Sequence, residues 1–242
     1  MPSTAPRLPL IDALRGFAVA QMLVYHFIYD LDYFGWLHLQ MLSDPRWIAW
    51  RSAIVTQFLL LVGVGLVLRT SFKPALADFW KRWAEVAAAA LLVSIGSYFV
   101  FGPRFIWFGI LHFIAAALLI ARPLVRFGAW NIALGAVAGI IGLACANDAF
   151  NDAPLSVIGL VTAKPRTEDY VPLLPWIGVV LIGAGLASMW KQRNWAITSS
   201  LQRLNSAPSR PLVFLGTWAL TIYLVHQPLF MALLSLARRA GL

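Results

Sequence analysis

The sequence predicts an all-α fold: a polytopic integral-membrane helical bundle of about seven transmembrane helices, with eight as the upper count. Three observations predict it. Of the 242 residues, 60% are hydrophobic and 12% charged, and the mean hydropathy is +0.76. A soluble domain carries about twice that share of charge. Seven apolar runs, near 10–35, 48–68, 82–101, 105–121, 128–146, 171–190 and 211–235, are long enough to cross a hydrocarbon core, which takes about 20 residues of helix. The formal charge of +9 comes from basic residues that sit mostly between those runs, so it reads as membrane topology and not as a nucleic-acid footprint.

The first run, "LIDALRGFAVAQMLVYHFIYDLDYFGW", is longer than a signal-peptide core and no small-residue cleavage site follows it, so it is expected to stay. It carries Asp12, Arg15, His26, Asp30 and Asp32, which lipid rejects. Arg15 and His26 are eleven residues apart, a net rotation of only about 20° on a helix. Asp12, Arg15, Val19, Met22, His26, Asp30 and Tyr33 therefore form one stripe, while Phe17, Ala20, Val24, Phe27 and Ile28 cover much of the rest. An ionisable group at bilayer depth costs about 2.5–3.5 kcal/mol on insertion scales, so the stripe is expected to face the bundle interior. A carboxylate one turn from an imidazole can fix its tautomer and raise its basicity, which makes His26 with Asp30 a candidate general base.

The later runs add to this. Arg51, on the second, lies at about the depth of Asp30 and is expected to pair with it; Gln57 follows as an interhelical hydrogen-bonding group. The third opens with Arg82 and Glu85, and the fourth, "FGILHFIAA", holds His112. The glycines of "GAVAGIIG" and "WIGVVLIGAGLA", in the fifth and sixth, predict close helix approach. The seventh, "LTIYLVHQPLF", carries His226 and Gln227. At about 1.5 Å per residue, His26, His112 and His226 reach similar depths in the outer half of the core, and Arg15 lies roughly 7 Å inside the inner boundary. Structural alternatives exist for each: an intramembrane histidine can be a packing group, and Arg15 with Asp12 can snorkel to the headgroups. Trp107, Trp176 and Trp195 read as interfacial belts.

Organisation is simple. Loops are short except 147–170 and 191–210, so residues 1–242 read as a single membrane-embedded domain. With the N-terminus cytoplasmic, eleven basic residues (among them Arg7, Arg122, Arg126, Arg203 and Arg210) fall inside and seven outside. Asp148, Asp152, Glu168 and Asp169 gather in the long outer loop. The one cysteine, Cys145, excludes a disulfide framework and a thiolate metal cluster. The two halves show no internal repeat, which weighs against an inverted-repeat transporter.

"IDALRGFAVAQMLVYHFIYDLDYFGW" resembles the opening helix of the heparan-α-glucosaminide N-acetyltransferase-like membrane proteins, especially their short bacterial members. "RSAIVTQFLLLVGVGLVL", "FGILHFIAAALL", "DYVPLLPWIGVVLIGAGLA" and "FLGTWALTIYLVHQPLF" continue the resemblance through most of the chain. The Arg15-to-His26 spacing also matches the wider transmembrane acyltransferase-3 group. The resemblance implies a transmembrane acyltransferase fold in the bacterial inner membrane, moving an acyl group, usually acetyl, from cytoplasmic acyl-CoA to an extracytoplasmic sugar amine or hydroxyl. Acetyl-CoA is the expected donor and no metal is expected. On that reading Arg15, Asp12, Arg69, Lys73 and Arg82 hold the donor. His26, Asp30 and His226 carry the chemistry; His38, Arg51, Gln57, His112 and Gln227 face the acceptor. His226 and Gln227 match the family's histidine–glutamine pair. The lysosomal enzyme's catalytic histidine follows this helix, where His38 comes closest, and an asparagine stands in place of His26; His26 is therefore the expected base, with His38 in reserve. Membrane lipid is the expected surrounding, nucleic acid is not a partner, and a homodimer is a candidate assembly. The competing classes are a proton-coupled transporter using the buried histidines and carboxylates as relays, and a b-type haem protein with two of His26, His112 and His226 as axial ligands.

Overall fold

Each expected run contains a helix in the computed structural model, which describes residues 8–71, 76–193 and 209–241. Arg7, Lys73, Trp195 and Arg203 lie outside the described residues. The helices are α1 (Pro9–Tyr33), α2 (Pro45–Ser71), α3 (Leu76–Phe101), α4 (Ile110–Leu124), α5 (Asn131–Ala144), the single turn α6 (Ala153–Ser156), α7 (Leu173–Gln192), α8 (Arg210–Thr217) and α9 (Ala219–Arg239). Prolines open α1 and α2, where a missing N–H costs nothing. Gly35, at φ +85°, turns the chain after α1, and Pro123 with Gly128, at φ +56°, breaks α4 from α5.

Five segments are long and apolar enough to cross a membrane: Pro45–Ser71, Leu76–Arg104, Ile110–Ala144, Leu173–Gln192 and Ala219–Arg239. Helix α1 has the length, 25 residues, but its polar stripe dilutes its apolarity. Helices α4 and α5, 15 and 14 residues long, join as one 35-residue segment across their kink. The chain is thus an all-helical, integral-membrane type of protein, and among the described residues the only strand-like contact is an isolated bridge between Phe108 and Tyr170.

The chain divides into two compact units, one built on Leu59–Ala196 and one on Arg7–Phe58 with Ile197–Leu242. In the first, α7 packs against α5 with backbones nearly touching, as the glycine runs predict. A Cβ added at Gly135 would collide with the carbonyl of Gly178, and one at Gly178 with the carbonyl of Gly135. A Cβ at Gly142 would come 2.7 Å from Pro175 Cα. The opposite face of α7 repeats the device, Gly183 meeting the Leu60 carbonyl of α2 and Gly63 of α2 meeting the Val180 carbonyl. Such contacts replace the hydrophobic drive that lipid cannot supply. The loop between α5 and α7 is knitted to itself: Asn151 bonds Asp148 and Thr162, and the Tyr170 hydroxyl donates to the Ser156 carbonyl at 2.6 Å. Asp169 leaves the acidic group to cap α4, accepting the Ile110 N–H at 2.9 Å.

In the second unit α1 is central. Val19, Met22 and Tyr25 of α1 form a core with Met41 and Ile54, packed around by Trp47, Trp50, Ile222 and Tyr223. Phe17, Val24 and Phe27 face outward, 42–51% exposed, as the helical period predicts. Tyr33, at the C-terminal end of the stripe, is exposed as well.

Candidate functional site

Four polar side chains meet between α1 and α9, on a stretch otherwise walled by rings. His26 and Asp30 stand one turn apart on α1; His226 and Gln227 are neighbours on α9. The His226 ring is buried, 5.1 Å from the His26 ring in an edge-to-face arrangement, with Tyr223 at 5.7 Å and Phe230 at 6.0 Å. Its Nδ1 lies 2.8 Å from the Tyr223 carbonyl and 3.2 Å from that of Ile222. Two acceptors at Nδ1 require the proton there, which leaves Nε2 with a bare lone pair. Nε2 is buried and has no hydrogen-bond partner. His26 makes no hydrogen bond among the described residues and is held by its neighbours, His226 and Tyr25.

Asp30 is 1% exposed. Its Oδ1 accepts from Gln227 Nε2 at 2.6 Å, while Asp30 Oδ2 and Gln227 Oε1 are buried without partners. Buried polar atoms are nearly always satisfied, so unpartnered acceptors on both Asp30 and Gln227, with that of His226 on the same helix pair, make this a candidate site.

Two expectations are corrected here. Asp30 does not orient the His26 imidazole: its carboxylate turns across to α9, where Gln227 offers an N–H in line. Nor does Arg51 pair with Asp30, because that amide already occupies the carboxylate and the other oxygen meets no cation. Equal depth on two helices fixes height, not which way a side chain faces.

The remaining candidates make other contacts. Near the N-terminus of α1, Arg15 forms an ion pair with Asp12 at 2.7 Å and reaches the Gly216 carbonyl of α8 at 3.5 Å. Gln57 spends its amide between helices, accepting from Gln21 at 2.9 Å and donating to Ala53 at 3.2 Å, while Trp50 donates to Gln21 at 3.3 Å. His38 is exposed in the loop after α1. It does not line the recess of about 240 Å³ that Tyr29, Asp32, Tyr33 and Gln40 help form there. In the other unit, His112 is a structural cap: its Nδ1 accepts the Gly109 N–H at 3.3 Å and its Nε2 lies 3.0 Å from Ser94 Oγ. Arg82 pairs with Glu85 at 2.9 Å on an exposed face, and Arg69 is exposed in the last turn of α2. Among the described residues no three His, Cys, Asp or Glu side chains group as a metal site. Sequence reasoning missed Gln21, although a glutamine within an apolar helix was signal enough, and it missed the direct bond from Gln227 to Asp30.

Helices of membrane length, with a histidine–carboxylate–amide cluster between α1 and α9, define an integral-membrane type of protein. The family profile described as heparan-alpha-glucosaminide N-acetyltransferase, catalytic, matches residues 7–228, and the chain belongs to that family of membrane acetyltransferases. The match takes in α1 whole and reaches past His226 and Gln227, so all four site residues lie within it. No curated protein and no solved structure matches the chain.

Proposed function

We propose that this protein is an acyl-CoA-dependent transmembrane acyltransferase, moving an acetyl group from cytoplasmic acetyl-CoA to an amine or hydroxyl that enters from the outer side. The observation that carries the reading is His226: its tautomer is fixed by the Tyr223 carbonyl and its Nε2 is bare, buried and unpartnered. That is the state a general base needs. Nε2 removes the acceptor's proton, the acceptor attacks the thioester carbon, the C–S bond breaks, and the CoA thiolate leaves toward the cytoplasm. His26, edge-on to His226, shapes the place where the thioester carbonyl arrives. Seven crossings with the N-terminus inside a bacterial inner membrane put Arg15 at the cytoplasmic end of the same helix, about 16 Å from His26 along the axis. Arg15, steadied by Asp12, then meets the donor.

The test is consumption of acetyl-CoA by the purified protein in detergent, with a panel of amino sugars, glycans and simple amines. Acceptor-dependent release of CoA supports the reading. No release from folded protein with any acceptor returns the site to the proton-coupled transporter. A second expectation concerns the donor end: Arg15→Gln weakens acetyl-CoA binding by about ten- to a hundred-fold, the range of one charge-assisted contact, without changing acceptor preference. Calorimetry of CoA binding to both proteins checks it, and unchanged affinity makes Arg15 only the clamp between α1 and α8.

A further inference from the structure

Within the unit built on Leu59–Ala196, the directions of the helices gather positive charge at one end. Helices α2 and α7 run parallel, Gly183 meeting the Leu60 carbonyl and Val67 packing with Ala184 and Ala187. Helix α3 runs against α4: Trp83 donates to the Ala115 carbonyl at 3.0 Å, and the Arg122 guanidinium lies 4.0 Å over the Phe79 ring. Val125, just past α4, packs on the same Val67 cluster. The last turns of α2, α4 and α7 and the first turns of α3 therefore share one end. Arg69, Arg122 and Lys191 stand in those last turns, Arg126 and Arg193 follow them, and Lys81 with Arg82 stands near the start of α3. Among the described residues, the carboxylates of this end are Asp78 and Glu85, two against seven cations. The opposite end, residues 102–109 and 145–172, holds three cations against four carboxylates.

Helix dipoles account for only part of this charge. A cation in a last turn complements the free carbonyls there, but Lys81 and Arg82 follow a helix N-terminus, where it does not. Nor is the charge neutralised within the unit. Arg82 pairs with Glu85 at 2.9 Å, whereas Lys81, Arg122, Arg126, Lys191 and Arg193 form no ion pair among the described residues. Apolar rings are interleaved with the cations. Trp80 and Phe127 are exposed, Trp130 is 76% exposed, and the Arg126 guanidinium lies 4.9 Å over the Phe127 ring. A guanidinium laid on a ring keeps its N–H edges, which match phosphate oxygens in pairs. A soluble phosphate would leave the rings in water. A phospholipid covers them with its glycerol and acyl chains while its headgroup meets the cations. We propose that this end of the unit is a docking surface for anionic phospholipid headgroups, with Arg122 and Arg126 as its phosphate contacts.

The test is lipid binding alone, read without any acyl transfer. Phosphatidylglycerol and phosphatidylcholine with the same acyl chains are titrated into the purified protein in dodecyl maltoside, and bound lipid is counted by native mass spectrometry. Phosphatidylglycerol binds tighter by about ten-fold or more, since each Lys or Arg near an anionic headgroup is worth about five-fold. Arg122→Gln/Arg126→Gln lowers its affinity by about ten- to thirty-fold on the same scale, and Lys191→Gln/Arg193→Gln weakens it as well. Arg104→Gln/Arg166→Gln, which removes as much charge from the opposite end, leaves the preference intact. Equal binding of the two lipids overturns the proposal, and so does a loss as large in the opposite-end variant, which would make net charge the cause. A preference that survives Arg122→Gln/Arg126→Gln in folded protein removes those two as the phosphate contacts. Where that variant does not fold, the Lys191/Arg193 pair, exposed at the end of α7, decides. Displacement of phosphatidylglycerol by adenosine 3′,5′-bisphosphate at matched ionic strength overturns the lipid in favour of a soluble nucleotide phosphate.

Discussion

Acyl transfer falls by about 10²–10⁴-fold in His226→Ala, the usual contribution of a general base, while acetyl-CoA affinity stays at the wild-type level. The reason lies in how completely the fold specifies that imidazole. The backbone of the preceding turn of α9 takes Nδ1, and three rings surround the imidazole, leaving Nε2 the single atom able to accept a proton. His226→Gln separates basicity from packing, because it fills much of the space and keeps a hydrogen-bonding group but cannot take up a proton near neutral pH. Both variants should lose turnover alike and differ in melting temperature, the glutamine protein being closer to wild type. His26→Ala is the informative contrast. His26 makes no hydrogen bond among the described residues and touches His226 edge-on, so its removal acts by loosening that ring and should cost less. Turnover is measured at saturating acetyl-CoA and acceptor, so that binding and chemistry stay apart. Full activity in His226→Ala with none in His26→Ala would reverse the two roles and restore the assignment that the sequence suggested.

Much of this site could be read from the chain because helical period is a strong constraint. The stripe on α1 follows from residue spacing alone, and Phe17, Val24 and Phe27 turn outward where that spacing puts them. The glycines of α5 and α7 announce close approach because lipid leaves few other reasons for them. What the chain does not encode locally is azimuth between helices. Depth arithmetic places Arg51 within reach of Asp30, and only the packing of α9 on α1 decides for the Gln227 amide instead. Residue counting predicts His112 at the depth of the other two histidines, yet it serves as a cap, because its own helix begins two residues earlier and needs its first N–H groups satisfied. The last run read as one continuous helix but parts at Trp218 into α8 and α9. The break has a local cause visible only with coordinates: Thr217 Oγ1 donates back to the Val213 carbonyl at 2.8 Å, a bond that bends helices, just where Gly216 lies flat against α1.

Gly216 is also where the largest loss of stability is expected. A Cβ there would run into the carbonyl oxygen of Asp12, and a Cβ at Gly16 into that of Leu212, so α1 and α8 touch backbone to backbone at two reciprocal points. Overpacking a core usually costs about 1–3 kcal/mol because a side chain can shift aside. Here the obstacle is main chain, which cannot turn away without breaking helix hydrogen bonds, so Gly216→Ala should sit at or above the top of that range. The helix propensity that alanine brings, about 1 kcal/mol over glycine, is too small to offset it. Gly139→Ala supplies the control, since a Cβ at that glycine of α5 meets nothing within 4 Å and the substitution should be neutral or slightly stabilising. Pushing α8 off α1 also withdraws the Gly216 carbonyl from the Arg15 guanidinium, so acetyl-CoA affinity should fall together with the melting temperature. Arg15 keeps its ion pair with Asp12 in the variant, so the loss should be smaller than in Arg15→Gln. Melting curves of the three proteins in detergent decide the first point, and equal melting temperatures for Gly216→Ala and Gly139→Ala would mean that α1 and α8 are not held this close.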